Sequence, residues 1–434
     1  MKHAALLFRR WFGLPLIFLL LVTSLTTGCS QEKVLKIGYI TEQTGAEAYI
    51  AQASTPALED YIAKINDAGG IGGYKLKLIV YDTRSEVTDA VSVAKRLIEQ
   101  DKVVAVIGPS WSAAGIPIAD IADASKVPVI GTTASNVNVT VSESGQLHPF
   151  MFRVCFIDPY QGYALADFAF KKQNLRKVAF LTDIASPYTV GVHKFFEDHF
   201  VALGGEVVAR EGYTQGDTEF RAQLAKIKDS GADLLVAAAY TYKDAGLIGQ
   251  QMEALGLKIP VMGADGWFVD DLLSMAGPQL EGAYLTTGAS TESPEFAQFN
   301  TDFEKAHGVK ANVYTYYGLD ALMMIEYGIR EAIKKGDPTA VAIRDAIETM
   351  KDVQLFTSKV TMEPDTHNPH NKPLLIMRIP RMPSKGSSLL QGNSCISLRK
   401  KGFLTRDSGL LQFLDAGETA TRVRDRRWER SLPD

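Results

Sequence analysis

The 434-residue chain is poor in the residues that usually announce chemistry. Its three cysteines, Cys29, Cys155 and Cys395, are too scattered for a metal site or a disulfide framework. At most one pair could form, and Cys155 reads as a buried residue inside the apolar stretch FMFRVCFID. Positive charge is not in excess either: the formal net charge is −4, which leaves no basic patch for nucleic acid. After the first thirty residues no apolar run is long enough to cross a membrane. There is no P-loop, no HExxH, no paired CxxC and no G-x-S-x-G elbow. The glycine cluster Gly69-Gly70-Ile71-Gly72-Gly73 follows a helix and precedes a strand, the reverse of a dinucleotide loop. His367 and His370 have Pro369 between them, which spoils their presentation to a metal, while His193 and His199 sit six apart on a helix and point to different faces. Neither an enzyme nor a cofactor is expected. What is present is an ordinary globular composition, 46% hydrophobic and 22% charged, with room for two or three domains.

The chain opens on an export signal. Lys2, Arg9 and Arg10 precede the apolar core WFGLPLIFLLLV, which has signal length and is short for a stable anchor. Small residues follow, ending in Gly28-Cys29. That ending resembles a bacterial lipoprotein cleavage site, with Cys29 as the acylated first residue; Thr26 stands where leucine is usual, and Leu25 one place earlier. The other outcome is cleavage by the ordinary signal peptidase and release of a soluble protein. Both place the mature chain outside the cytoplasmic membrane, in the periplasm or on the outer face of the cell membrane.

From Val34 apolar strands alternate with amphipathic helices. LKIGYI, KLKLIVYD, VVAVI and KVPVI are separated by helices such as EVTDAVSVAKRLIEQ, whose Val91, Ala94, Leu97 and Ile98 share one face. A second series begins after MFRVCFID and runs through KVAFLTD, EVVAREGY, ADLLVAAAY and IPVMGAD. Repeated βα units imply parallel sheets with helices on both faces, and this length favours two doubly wound, Rossmann-like lobes over one sheet. Expected boundaries are a signal peptide over 1–29, a first lobe over 34–155 and 288–356, and a second over 156–287 and 357–380. Three crossing segments, near 155–158, 285–289 and 355–359, are the expected hinges. Residues 381–434 crowd arginines without sustained strand or helix period and read as an unpacked extension.

In open parallel sheets, ligands bind beyond the carboxyl ends of strands. Residues 103–135, VVAVIGPSWSAAGIPIADIADASKVPVIGTTAS, carry two such ends, each followed by a hydroxyl-rich loop. Ser110, Ser112, Thr132, Thr133 and Ser135 either cap and form turns or meet beside the start of the intervening helix, where amides and hydroxyls suit an anion. Tyr49, Tyr188, Tyr240 and Asp265 follow other strand ends. Two facing lobes would then offer hydroxyls and amides from one side and a carboxylate with tyrosines from the other. A zwitterion fits that arrangement, with its ammonium against Asp265; the competing reading of Asp265 is a turn-former in Ala-Asp-Gly.

In order and spacing, IGYITEQTG, INDAGGIGGYKLKLIVYD, VIGPSWSAAG, FRVCFIDPYQG, TDIASPYTVG and LGLKIPVMGADGW resemble the substrate-binding proteins of branched-chain amino-acid ABC transporters, the type I periplasmic binding proteins, over residues 34–379. The resemblance implies a ligand carboxylate held by Ser112 and by the Ala134 carbonyl and Ser135 hydroxyl, the last where threonine is common. It implies an ammonium held by Asp265, where several relatives carry glutamate. Tyr188 matches the tyrosine of the second lobe; Tyr240 matches it less cleanly, since Tyr242 takes the place after a one-residue shift, and Tyr49 is weaker. Trp111 and Trp267 flank the anchors and are candidates for an apolar side-chain pocket. The implied protein is a monomeric receptor that closes on an aliphatic, branched-chain amino acid or a related carboxylate and delivers it to ABC permease subunits in the membrane. A sensor of the same fold for an amide or a small aromatic carboxylate is the alternative.

Overall fold

The computed structural model describes residues 33–239, 241–267, 272, 278–370 and 372–379, and the backbone of 403–407 and 410–414. The first series runs β1 (Lys33–Thr41), α1 (Tyr49–Asp67), β2 (Tyr74–Asp82), α2 (Val87–Lys95, extended by a wider turn over Arg96–Gln100), β3 (Ala105–Ile107), α3 (Ser112–Ser125), β4 (Val129–Gly131) and β5 (Met151–Arg153). The strands pair in parallel in the order β2-β1-β3-β4-β5.

The second series runs α4 (Asp158–Asp167), β6 (Lys177–Asp183), α5 (Pro187–Ala202), β7 (Glu206–Tyr213), α6 (Arg221–Asp229), β8 (Leu234–Val236), α7 (Tyr242–Ala254), β9 (Val261–Met262) and β10 (Tyr284–Thr287). Its parallel order, β7-β6-β8-β9-β10, repeats that of the first. Each lobe is therefore a doubly wound α/β sheet with the order 2-1-3-4-5. The central strands β3, β4, β5 and β8 are buried at every residue, which is why they read as unbroken apolar runs and not as alternation.

The chain then returns to the first lobe through α8 (Ala297–His307), α9 (Val313–Lys335) and α10 (Ala340–Glu348). Asn312 starts α9 with a capping box, its side chain accepting from Tyr314 N and Thr315 N, and α9 packs on α1 and α10. One core lies here, with Ile37, Leu58, Ile107, Leu322 and Ile325 between sheet and helices. Val106, Ile118 and Val129 fill the opposite face, and Phe180, Phe196, Phe200 and Val236 fill the second lobe.

A small antiparallel sheet follows, β11 (Val353–Gln354), β12 (Lys359–Met362) and β13 (Pro369–His370). Next, β14 (Leu374–Arg378) pairs antiparallel with β10. Two further strands, β15 (Phe403–Asp407) and β16 (Leu410–Leu414), continue that edge antiparallel; they lie within the stretch read as an extension. The chain leaves each of the first two sheets at the expected crossings, after β5 and after β10. Residues 355–359 instead form the turn between β11 and β12, and the chain joins the second sheet only at β14. Asp320 of α9 accounts for this. It accepts from Thr357 N at 2.9 Å and from Lys372 Nζ at 2.6 Å, which ties the whole turn to the first lobe.

Candidate functional site

In a 2-1-3-4-5 sheet the strand order reverses between the first and third strands, and the loops leaving that point diverge to open a crevice. Here the crevices are those of β1/β3 and β6/β8. Between them lies a cleft with about 290 Å³ of empty space, lined by Ser110, Ser112 and Thr133 from the first lobe, Tyr188, Asp265 and Gly266 from the second, and Tyr314 from α9.

The first-lobe rim begins at Gly108. Its φ of +93° suits glycine, and a Cβ there would lie 2.5 Å from the Ile40 carbonyl. That close approach carries Ser110 to the end of β1, where its hydroxyl donates to Glu42 Oε1 at 2.8 Å. Thr133, after β4, donates its hydroxyl to the Ser110 carbonyl at 2.7 Å. Ser112 accepts from Asn136 N at 3.1 Å, so its own proton points elsewhere. Trp111, the residue before α3, makes no side-chain capping bond. The first residue of α3, Ser112, lines the cleft, and a helix start carries the partial positive charge that suits a carboxylate.

The second-lobe rim is a phenol and a carboxylate. Tyr188, in the first turn of α5, donates to Asp265 Oδ1 at 2.6 Å and accepts from Gly266 N at 3.3 Å. Gln161 braces the same loop, accepting from Thr286 Oγ1 at 2.6 Å and from Asp265 N at 3.4 Å. Burial raises Asp265 to about 6, against the hydrogen bonds from Tyr188 and Gln161. Behind the first rim, burial raises Glu42 to about 8 despite the Ser110 bond, and raises Glu47 to about 7.

Of the residues singled out in the sequence, Ser112, Tyr188 and Asp265 meet at the cleft. Ala134 and Ser135 do not line it. Arg153, fully buried at the end of β5, donates to the Ala134 carbonyl at 2.8 Å and to the Asn136 carbonyl at 2.8 Å. Ser135 donates to Asp158 Oδ1 at 2.7 Å. The loop after β4 is thus turned toward its own support. Trp111 packs with Ile118 and Val139, and Trp267 is wholly buried against Gly263; neither lines the cleft, so the expected apolar pocket does not form around them. Tyr49 stands one layer back, edge-on to Tyr314 at 5.6 Å and to Tyr242 at 5.2 Å. Tyr240 and Cys29 lie outside the described residues.

Ser110 and Thr133 join the cleft although their positions also suit simple turn chemistry. Tyr314, Glu42 and Gln161 carried no local signal, since each reaches the site through a different element. The two lobes touch: Asn136 Nδ2 donates to the Pro187 carbonyl at 2.8 Å, and the Tyr49–Tyr242 ring pair spans the mouth. Among the described residues no cluster of histidine, cysteine and carboxylate could hold a metal ion, and no helix is long and apolar enough to cross a membrane.

Residues 34–387 match the family described as periplasmic binding protein. An amino acid binding protein of Pseudomonas aeruginosa is 32% identical over 291 residues, 67% of this chain and 76% of the relative. Leu/Ile/Val-binding protein homolog 1 of Brucella suis is 30% identical over 300 residues, 69% of this chain and 78% of the relative. Among solved structures, the branched-chain amino acid transporter substrate binding protein LivJ of Streptococcus pneumoniae, in complex with isoleucine, is 29% identical with a TM-score of 0.72, covering 80% of this chain and 97% of its own. With the matched region spanning both lobes and the cleft between them, this chain belongs to the periplasmic binding protein family.

Proposed function

We propose that this chain is the extracytoplasmic receptor of an ABC importer, which captures an α-amino acid between its lobes and hands it to membrane permease subunits. The observation that carries this is the polarity of the cleft. A carboxylate, Asp265, stands on one rim, and a hydroxyl and the uncapped start of α3 stand on the other. An ammonium and a carboxylate on one small molecule complement those two rims. The printed names of the relatives, amino acid and Leu/Ile/Val binding, support a ligand of that class. Ligand held by both rims shifts the population toward the closed form, which presents both lobes together to a permease.

Removing one partner of a buried charge pair costs about 3–5 kcal/mol. Asp265→Asn is therefore expected to weaken amino-acid binding, read by calorimetry, by two decades or more. Unchanged affinity in that variant would remove the ammonium from Asp265 and with it this reading of the cleft.

A further inference from the structure

We infer that this cleft ranks amino acids with hydrogen-bond donors on the side chain (amide, hydroxyl or amine) above their apolar isosteres, and that Ser110, set by Glu42, is the residue that reads the difference. The inference rests on the amino-acid reading above and concerns the part of the ligand that reading leaves open.

The argument is one of proton placement. A hydroxyl has one proton to give, and once given it presents only lone pairs to anything else. Ser110 has given its proton to Glu42, Thr133 to the Ser110 carbonyl, and Tyr188 to Asp265. Three of the hydroxyls that line the cleft therefore face it as acceptors. Of the remaining two, Ser112 and Tyr314, Ser112, whose oxygen already accepts from Asn136 N, is placed to donate to the ligand carboxylate. With the ligand carboxylate at Ser112 and α3, and its ammonium at Asp265, the Ser110 and Thr133 oxygens are left for the side chain. An aliphatic group there would cover two acceptors and return nothing to them. A donor-bearing group would satisfy them, and sites built to hydrogen-bond a ligand discriminate strongly against analogues lacking the bond.

Glu42 makes this orientation persistent once its carboxyl is ionised, above about pH 8. It is 1% exposed, one of its oxygens takes the Ser110 proton, and the other, Oε2, is buried without a hydrogen-bond partner among the described residues. No rotation of Ser110 toward the ligand can occur without leaving a second Glu42 oxygen unmatched. Glu42 is in this sense a positioning residue, acting through Ser110.

The test is calorimetry of the protein at about pH 9, where Glu42 is ionised, against matched pairs: threonine with valine, asparagine with leucine, ornithine with norleucine. At least one donor-bearing member is expected to bind ~10-fold or more tightly than its partner, and Ser110→Ala is expected to bring that ratio toward one. Glu42→Gln is the second arm. Its amide can donate to Ser110 and release the serine proton toward the cleft, so the ratio should fall there too while the thermal melt remains cooperative. If the apolar member of every pair binds as well as or better than its partner, or if the ratio survives both substitutions, the inference is overturned while the receptor reading stands. If no amino acid binds at all, the receptor reading falls first and takes the inference with it.

Discussion

Buried charge is treated in opposite ways beside β14 and at the cleft. Just before β14, Lys372 meets Asp320 of α9 at 2.6 Å, their side chains 1% and 0% exposed. Thr357 completes the set, accepting from Lys372 Nζ at 2.7 Å and donating to Asp320 Oδ2, and the ammonium lies 4.8 Å from the Tyr317 ring centre. At the cleft, Glu42 is buried and Asp265 half-buried, and their hydrogen-bond partners are a phenol for Asp265 and a serine hydroxyl for Glu42. Both carboxyls rise, to about 6 and about 8, because burial outweighs what neutral donors can return. Where charge serves the fold, the chain supplies the counter-charge. At the cleft, under the proposed function, the counter-charge of Asp265 is left for the ligand to bring.

The strongest way to break that contrast is to exchange the roles. Lys372→Met leaves Asp320 buried without its cation, and a loss of about 3–5 kcal/mol in unfolding free energy is expected from denaturant titration. Asp265→Asn, by the same measurement without ligand, should leave stability unchanged or raise it. A Lys372→Met protein as stable as the parent would mean this ion pair is not structural.

Proton linkage should sharpen it further. Glu42, Asp158 and Glu47 sit at about 8, 8 and 7 in the folded chain, against 4.5, 3.8 and 4.5 for the free groups. A folded state that binds protons more tightly than the unfolded one is stabilised as pH falls. The contribution is complete below the unfolded values and is lost as pH rises through 7 to 8. Lowering the pH from 8 to 6.5 should thus stabilise the unliganded protein by an amount on the order of 4 kcal/mol, seen as a higher melting temperature. The window stops at 6.5 because His193, pushed down to about 3 by burial, begins to oppose the effect below that point. The extra stability conferred by an amino acid should run the other way, shrinking as pH drops through about 6 and Asp265 takes up a proton. Parallel pH trends with and without ligand would argue against Asp265 as the ammonium partner.

The smallest effect concerns closure. Gly191 of α5 is packed so closely that a Cβ would press into Asp158 Oδ2 at the start of α4 and lie 2.9 Å from Asn136 Nδ2 of the first lobe. Gly191→Ala is expected to disfavour the closed arrangement and weaken ligand binding roughly tenfold, about 1.4 kcal/mol, with a larger radius of gyration by small-angle scattering. An unaltered radius would place closure somewhere other than this contact.

The sheets were largely legible because a strand buried on both faces must be apolar throughout, and VVAVI, the VAFL of KVAFLTD and the LLVAAA of ADLLVAAAY are. Even so, β3 begins at Ala105 and not Val103, since its pairing with β1 covers only Ile37 to Tyr39. Ser112, Tyr188 and Asp265 were legible because each follows a strand end, a place that topology makes functional. Ser110 and Thr133 were not separable from turn-formers, because the same sequence serves both and only the direction of the hydroxyl differs. Ala134 and Ser135 face inward because of Arg153, eighteen or more positions away in the chain, whose full burial no local pattern announces. Tyr314 arrives on a helix from the third segment, at a contact that depends on how α9 packs against α1.

Each rim of the cleft hangs from its own sheet, and the two sheets share one strand order without sharing strands. Substitutions on one rim therefore leave the scaffold of the other untouched. A lineage built this way can keep its grip on the common head of a ligand class while rewriting, loop by loop, what it accepts beyond that head. The two halves of the recognition problem are inherited separately.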